Sequence, residues 1–288
     1  MQNLKGIGLM TAGFAVFSIA DLMAKILTED FHPFQIAWSR WLGVAMGLIL
    51  ILLLKGPAIF KSKVPGLQIA RGMFAVVSAT CFIFAIRHVP LADAVAVTFA
   101  APFMVTIFGA LLLRERVGPW RWGAVLVGFI GTLVIIRPGS GAFNPAILLV
   151  LVAALAFACR QIISKPIGRN DPTQTTLAYT AVTALIILTL PLSWVWETPS
   201  TNRQLWLFLG IAILSGIGEF LIIRALEIAE AVAVTPMHYS LIIFSTLWGY
   251  LFFSQLPDVW TWVGTSIVIA SGLTILYREH FASARPAS

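Results

Sequence analysis

The fold of this chain is decided by the stretch Arg87–Thr98, RHVPLADAVAVT, which recurs as RALEIAEAVAVT at Arg224–Thr235. Seven of the twelve positions are identical, and an acid precedes the shared run AVAVT in both copies, Asp93 in the first and Glu230 in the second. Later pairs follow in the same order: Gly109 and Gly249, Trp120 and Trp260, Trp122 and Trp262, Gly123 and Gly264, Gly131 and Gly272, Arg137 and Arg278. A self-similarity of this length in a 288-residue chain indicates two copies of one unit.

The composition is that of a membrane protein. Apolar residues make up 59% of the chain, charged residues only 11%, and the mean hydropathy is +0.93, whereas a soluble domain carries roughly 25% charged residues. Lipid requires every backbone polar group to be satisfied within the protein, so helices are expected. The net charge of +7 comes from bases scattered over short connecting loops, which does not indicate nucleic-acid binding. Cys81 and Cys159 lie inside apolar runs and are expected to pack rather than form a disulfide or bind a metal.

Ten apolar spans are predicted, which gives an all-α membrane protein with ten transmembrane helices. They cover residues 4–27, 33–54, 67–87, 91–113, 120–136, 145–165, 174–196, 205–224, 230–253 and 259–277. The repeat divides them into two five-helix units, 1–139 and 140–288. Thirteen Lys and Arg residues, Arg71 among them, fall on the cytoplasmic side of the membrane and four on the other when the N-terminus is placed inside, so both termini are predicted to be cytoplasmic. Because each unit has five spans, the second unit is inverted, as in many secondary transporters.

The order of these motifs resembles the drug/metabolite transporter superfamily, specifically the ten-helix exporters built from two EamA-type repeats. The resemblance covers nearly the whole chain and is carried by the alanine-rich fourth and ninth spans and by the glycine, acid and tryptophan positions after the fourth. It implies a basket-like bundle whose cavity is lined by the first, third, fourth, sixth, eighth and ninth helices. Within the superfamily, the chain looks most like the inner-membrane exporters of aromatic and other amino acids. One departure is that Glu115 has Gln255 as its partner in the second unit, which weakens any gate built from two acids.

Two charged residues inside spans are the leading candidates for substrate binding. Glu219 lies deep in the eighth span, where an acid is costly unless it is neutral, paired or facing water. It could bind a substrate amine or carry a coupling proton, or it could form a structural pair with Arg160. Arg160 in the sixth span could bind a substrate carboxylate in bidentate fashion, pair with Glu219, or extend towards the interface.

A second group of candidates surrounds the prolines of the fourth and ninth spans. Proline removes a backbone donor and kinks a helix, and interrupted helices at corresponding positions of two repeats indicate a transport site. His238 could couple transport to protons or be a hydrogen-bonded packing residue. The candidates here are Thr98, Pro102, Thr235, His238 and Tyr239.

Aromatic and hydroxyl side chains of the first and third spans are expected to line the same cavity: Phe14, Phe17, Ser18, Phe74 and Ser78. Asp21 and Lys25 stand four residues apart and are expected to form a local helical ion pair. Arg40 is expected to be structural. Small residues spaced three or four apart, as in Gly8, Ala12, Ala15 and in Gly123, Val127, Gly131, predict close helix packing.

The sequence therefore predicts a secondary transporter that exports amino acids or similar small metabolites by alternating access. A carrier of another small solute, such as a sugar derivative, nucleotide or drug, is the alternative within this class. An intramembrane enzyme is disfavoured because no nucleophile–base pair or metal-ligand set gathers at one depth, and no phosphate-binding loop is present. We expect no catalytic residue, metal or cofactor. The expected partners are a small-molecule substrate and the lipid bilayer, with the chain acting as a monomer.

Overall fold

The protein folds entirely into helices in the part of the chain that the structure describes. A computed structural model describes residues 2–114, 117–139, 143–229 and 234–283. The α-helices are α1 (Gln2–Leu27), α2 (Pro33–Lys55), α3 (Pro65–Ile86), α4 (Leu91–Thr98), α5 (Ala101–Leu112), α6 (Pro119–Ile136), α7 (Ile147–Gly168), α8 (Thr173–Val195), α9 (Asn202–Ile228), α10 (Ser240–Phe253) and α11 (Val259–Ser283). Short 3-10 helices cover Pro57–Phe60 and Thr235–Tyr239.

Local sequence explains where several helices begin. Proline occupies the first turn of α2, α3, α5 and α6, where its missing N–H has no helical partner to lose. Helix α9 begins with a capping box in which Thr201 accepts from the backbone of Gln204 and the Gln204 side chain accepts in return. These signals place helix starts at the ends of the connecting loops.

Among the described residues, seven segments are long and apolar enough to cross a membrane: α1, α2, α3, the α4–α5 pair, α7, α8 and α9. Shorter apolar runs lie in α6 and α11, at Trp122–Ile136 and Val259–Thr274. The chain is therefore a multi-pass helical membrane protein, and the count of ten spans stays a prediction. Residues 230–233, with which the predicted ninth span begins, lie outside the described residues.

Helix α1 packs antiparallel along α9 through small residues. A Cβ on Gly6 would meet Ala229, a Cβ on Gly13 would meet Ile222, and the ring of Phe17 lies on Gly218, 3.1 Å from where its Cβ would be. Without a hydrophobic drive between helices in lipid, such close backbone approach allows strong van der Waals packing. The contact brings Phe17 to the same level as Glu219.

The other helix contacts link the first half of the chain to the second. Helix α3 packs along α7, α6 along α11, α2 against α8 and α9, α5 against α7, and α10 against α1. The α6–α11 contact is a close approach of two backbones, because Gly131 and Gly264 each face the other's carbonyl oxygen at under 3 Å from their missing Cβ positions. Some of these contacts form pairs in which the two halves exchange roles: α1–α9 corresponds to α3–α7, and α5–α7 corresponds to α1–α10.

Two helical elements are interrupted at the prolines. Helix α4 ends at Thr98, a turn follows at Phe99 and Ala100, and α5 begins at Ala101. In the second half, the 3-10 helix Thr235–Tyr239 precedes α10. Both breaks lie next to α1 or its neighbours in the bundle.

The expected ion pair between Asp21 and Lys25 is wrong. The Lys25 Nζ donates instead to the carbonyls of Ile86 and Val89, at 2.9 and 2.7 Å, and so satisfies acceptors at the C-terminus of α3. Asp21 pairs with Arg40. Tertiary contacts between helices outcompete the local spacing rule here, because buried carbonyls and a buried guanidinium need partners more strongly than an exposed pair does.

Candidate functional site

A buried ion pair joins α1 and α2 in the bundle. Arg40 Nη1 lies 2.7 Å from Asp21 Oδ1, with the two side chains 19% and 6% exposed. The guanidinium also lies over the ring of Phe17, 5.2 Å from its centroid. The pair neutralises itself, and the aromatic face adds a cation–π contact of about 0.5–2 kcal/mol. Arg40 is therefore held by its own acid and does not need a ligand.

Arg160 on α7 has no such partner. Its guanidinium lies over the ring of Phe157 at 4.8 Å, and its Nε is buried without a hydrogen-bond acceptor. Glu219 on α9 is close enough to interact with it electrostatically, yet no ion pair within 4.0 Å connects them in the described part of the chain. The structural pair between these two residues is therefore not formed, and both charges remain available.

Arg71 on α3 belongs to the same group of charges. Its Nε donates to the Ser164 Oγ at 2.8 Å, and its Nη1 donates to the Thr180 Oγ1. Both partners are neutral hydroxyls. Arg71 also interacts electrostatically with Arg160 and Glu219. Helices α3, α7 and α9 thus bring two guanidinium groups and one carboxylate together.

An aromatic cluster lies along α1 next to the interrupted helices. The imidazole of His238 stacks on Phe14 with ring centroids 4.8 Å apart, and Phe99 meets both His238 and Tyr239 edge to face at 5.5 and 5.1 Å. Such geometries are the preferred ones for ring pairs. The cluster provides flat apolar surfaces near the two helix breaks.

Ser18 is buried one turn further along α1, where it has two hydrogen bonds. It donates to the carbonyl of Ala15 at 2.7 Å and accepts from the Trp248 Nε1 at 2.9 Å. This bond fastens α10 to α1. Because both bonds are internal, Ser18 acts in packing in this conformation.

Among the described residues, the remaining predicted site residues make no hydrogen bond or ring contact with the charged group. Phe74 and Ser78 are half-buried on α3 without a ring contact or hydrogen bond to any described residue. Thr98 donates to the carbonyl of Val95 at the end of α4, and Pro102 lies in the first turn of α5. Thr235 begins the 3-10 helix, and its side chain lies outside the description.

Two functional features were not predicted from the sequence. Arg71 was counted with the cytoplasmic loop charges, although it lies inside the span 67–87, and that position was the available signal. Phe99, which joins the two helix breaks, follows directly after the repeated stretch. Nothing local to the sequence identified it.

A family model for EamA-like transporters matches the chain twice, over residues 4–137 and 144–277. The chain belongs to the EamA-like transporter family. It is therefore a membrane transporter, and its relatives are named as transporters rather than enzymes.

Several transporters with different substrates are similar to this chain. An S-adenosylmethionine uptake transporter of Rickettsia prowazekii is 30% identical over 280 residues, covering 96% of this chain and 94% of that protein. The pseudopaline exporter CntI of Pseudomonas aeruginosa is 28% identical over 275 residues, covering 94% and 95%. A riboflavin transporter of Vibrio cholerae is 28% identical over 275 residues, covering 91% and 89%. None of these three is an exporter of amino acids by name.

A solved crystal structure shows the same fold. It superposes with a TM-score of 0.64 at 18% sequence identity and covers 96% of this chain and 98% of that one. At this identity the likeness concerns the fold alone.

Proposed function

We propose that the chain is a secondary transporter that exports amino acids or similar small metabolites with an amino-carboxylate group across a bacterial inner membrane. The observation that carries the proposal is the opposite charge of Arg160 and Glu219, which interact electrostatically without forming an ion pair among the described residues. A guanidinium binds carboxylate in a bidentate manner, and a carboxylate binds an ammonium group. Unpaired charges inside membrane helices mark substrate pathways.

The proposed architecture is ten transmembrane helices in two inverted five-helix repeats, 1–139 and 140–288. The duplicated family match supports it, as do the helix contacts that exchange between halves. Interrupted helices at Thr98 and at Thr235 are the feature expected near the midplane site of such a carrier. Alternating access then exposes the Arg160–Glu219 region to each side of the membrane in turn.

The orientation proposed is cytoplasmic for both termini, as the Lys and Arg distribution favours. Alkaline phosphatase fused after Arg285 should be inactive. Fused after Phe31, with enough downstream sequence retained, it should be active. The reverse pattern would contradict the charge distribution and the inversion that rests on it.

Uptake of S-adenosylmethionine is the second candidate function. The similarity to uptake transporters of that compound, over 96% of this chain, favours it, and S-adenosylmethionine itself carries an amino-carboxylate end. Under this alternative the same two charges bind the same end of the solute, and only the direction of net transport and the rest of the solute differ.

Counterflow with purified protein in proteoliposomes tests the proposal. Vesicles preloaded with unlabelled solute should accumulate the labelled solute transiently, using a panel of amino acids, S-adenosylmethionine, riboflavin and a sugar. We expect uptake of the labelled solute to be accelerated only for compounds that carry an amino-carboxylate group. Accelerated uptake of riboflavin or the sugar alone would contradict the roles proposed for Arg160 and Glu219.

A further inference from the structure

The charge of Arg71 is not neutralised by any described side chain. Its two hydrogen-bond partners, Ser164 and Thr180, are neutral, and the ion pairs among the described residues do not include it. Arginine stays protonated in proteins, and an unpaired charge inside a bundle is strongly unfavourable. Arg71 therefore has no acidic side chain within ion-pair distance among the described residues.

The second unpaired guanidinium lies beside it. The Ser164 Oγ that accepts from Arg71 donates to the carbonyl of Arg160 at 2.7 Å. Ser164 follows Arg160 by one helical turn on the same face of α7. Arg71 thus meets α7 one turn from Arg160, and the two cations repel each other electrostatically. A bound anion would reduce this repulsion.

The charges of this group do not cancel. Arg71 and Arg160 contribute two positive charges, and Glu219, which interacts with both, contributes one negative charge. Arg40 is neutralised separately by Asp21. The group therefore carries a net charge of about +1 in a low-dielectric surrounding, where electrostatic interactions are strong.

We propose that the site takes an amino dicarboxylate. One carboxylate binds Arg160, a second binds Arg71, and the amine binds Glu219. This inference rests on the proposed function and narrows its substrate class. A solute with a net charge of −1 neutralises the group, whereas an ordinary zwitterionic amino acid leaves it at +1. S-adenosylmethionine, with its extra sulfonium charge, would raise the positive charge further.

Matched pairs of solutes test the second carboxylate. Counterflow of labelled L-glutamate, L-aspartate and L-2-aminoadipate is compared with counterflow of L-glutamine and L-asparagine, which have the same shape without the second charge. Wild-type protein should prefer the dicarboxylates at least tenfold. Arg71→Gln should reduce this preference to less than twofold. The control Arg87→Gln removes an exposed charge outside the group and should leave the preference intact.

A purely structural role for Arg71 predicts a different result. Such a role predicts a lower Tm for Arg71→Gln, because the hydrogen bonds of the guanidinium to Ser164 and Thr180 would be lost. The proposal predicts a Tm equal to or above that of the wild type, because an unpaired charge is removed. A lower Tm with equal loss of transport for both solute classes would overturn the inference, as would a dicarboxylate preference that survives the substitution.

Failure of the proposed function can be told apart from failure of this inference. If the wild type shows no counterflow with any amino compound, the proposed function fails. In that case, the inference is tested by whether the dicarboxylates raise the Tm of the protein. A rise in Tm with L-glutamate or L-2-aminoadipate in the wild type, absent in Arg71→Gln, supports the binding site, and no rise in the wild type overturns it. Neutral-amide counterflow without dicarboxylate preference overturns only the inference.

Discussion

Replacing Asp21 by asparagine removes the charge that neutralises Arg40 while preserving the shape of the side chain. At the observed 2.7 Å, Coulomb's law with an effective dielectric constant of about 20 gives roughly 6 kcal/mol of gross attraction. The cation–π contact with Phe17 survives. Leaving one partner of a buried pair uncompensated costs about 3–5 kcal/mol. We expect Asp21→Asn to lower the free energy of unfolding by about that amount.

Equilibrium unfolding in mixed detergent micelles, followed by tryptophan fluorescence, measures this loss. The double variant Asp21→Asn/Arg40→Gln should recover at least half of it, because no charge is then left unpaired. Glu197→Gln is the matched control, because the Glu197 side chain is exposed and has no ion-pair partner among the described residues, and it should change the free energy of unfolding by less than about 1 kcal/mol. Asp21→Asn with wild-type stability, or a double variant with additive losses, would refute the reasoning.

Three further predictions concern packing, pH and the aromatic cluster. Gly43→Ala should destabilise by about 1–3 kcal/mol, because its Cβ would lie 1.6 Å from the Ala212 carbonyl oxygen, whereas Gly47→Ala meets nothing within 4 Å and should be tolerated in thermal unfolding. Hydrogen bonds from the hydroxyl of Ser62 and the backbone of Lys63 lower the pKa of Asp171 below its usual value of 3.8. Its contribution to stability is therefore complete above that pH and is lost as the pH falls further, so the acid limb of the Tm–pH curve should be shallower in Asp171→Asn. His238→Phe should keep most transport because stacking on Phe14 is retained, while His238→Ala should lose it, and loss in both would indicate a role for the imidazole nitrogens.

The sequence predicted the features that depend on local pattern. The repeated stretch, the apolar spans and the prolines are read directly from neighbouring residues, and the structure shows helix breaks at Thr98 and Thr235 next to those prolines. Helix, in lipid, is the only way to satisfy the backbone of a long apolar run. The family follows from the same pattern.

Contacts between helices could not be predicted in the same way. Gly8 and Gly123 were expected to pack closely, yet a Cβ on either would meet nothing within 4 Å, whereas Gly6 and Gly13 face α9. Small-residue spacing recurs on several faces of a helix, and which face meets a neighbour depends on the whole bundle.

Charge pairing shows the same limit. The four-residue spacing of Asp21 and Lys25 suggested a pair, but the acid binds Arg40 on the next helix and the lysine binds the end of α3. Arg71 was grouped with the cytoplasmic charges, because Lys and Arg residues were counted only by the side of the membrane on which they lie. Its hydrogen bond to Ser164 joins residues 93 positions apart in the sequence. A local sequence pattern cannot predict a contact between residues so far apart in the chain.

The roles of Arg160 and Glu219 are tested most directly by pairing each charge with the solute group it is proposed to bind. Counterflow would be measured for the best-transported amino compound, its methyl ester and its deaminated hydroxy acid. Arg160→Gln should abolish the preference for the free acid over the ester, and Glu219→Gln should abolish the preference for the amine over the hydroxy acid. Each variant should leave the other preference in place. Unchanged preferences in two stable variants would contradict the account.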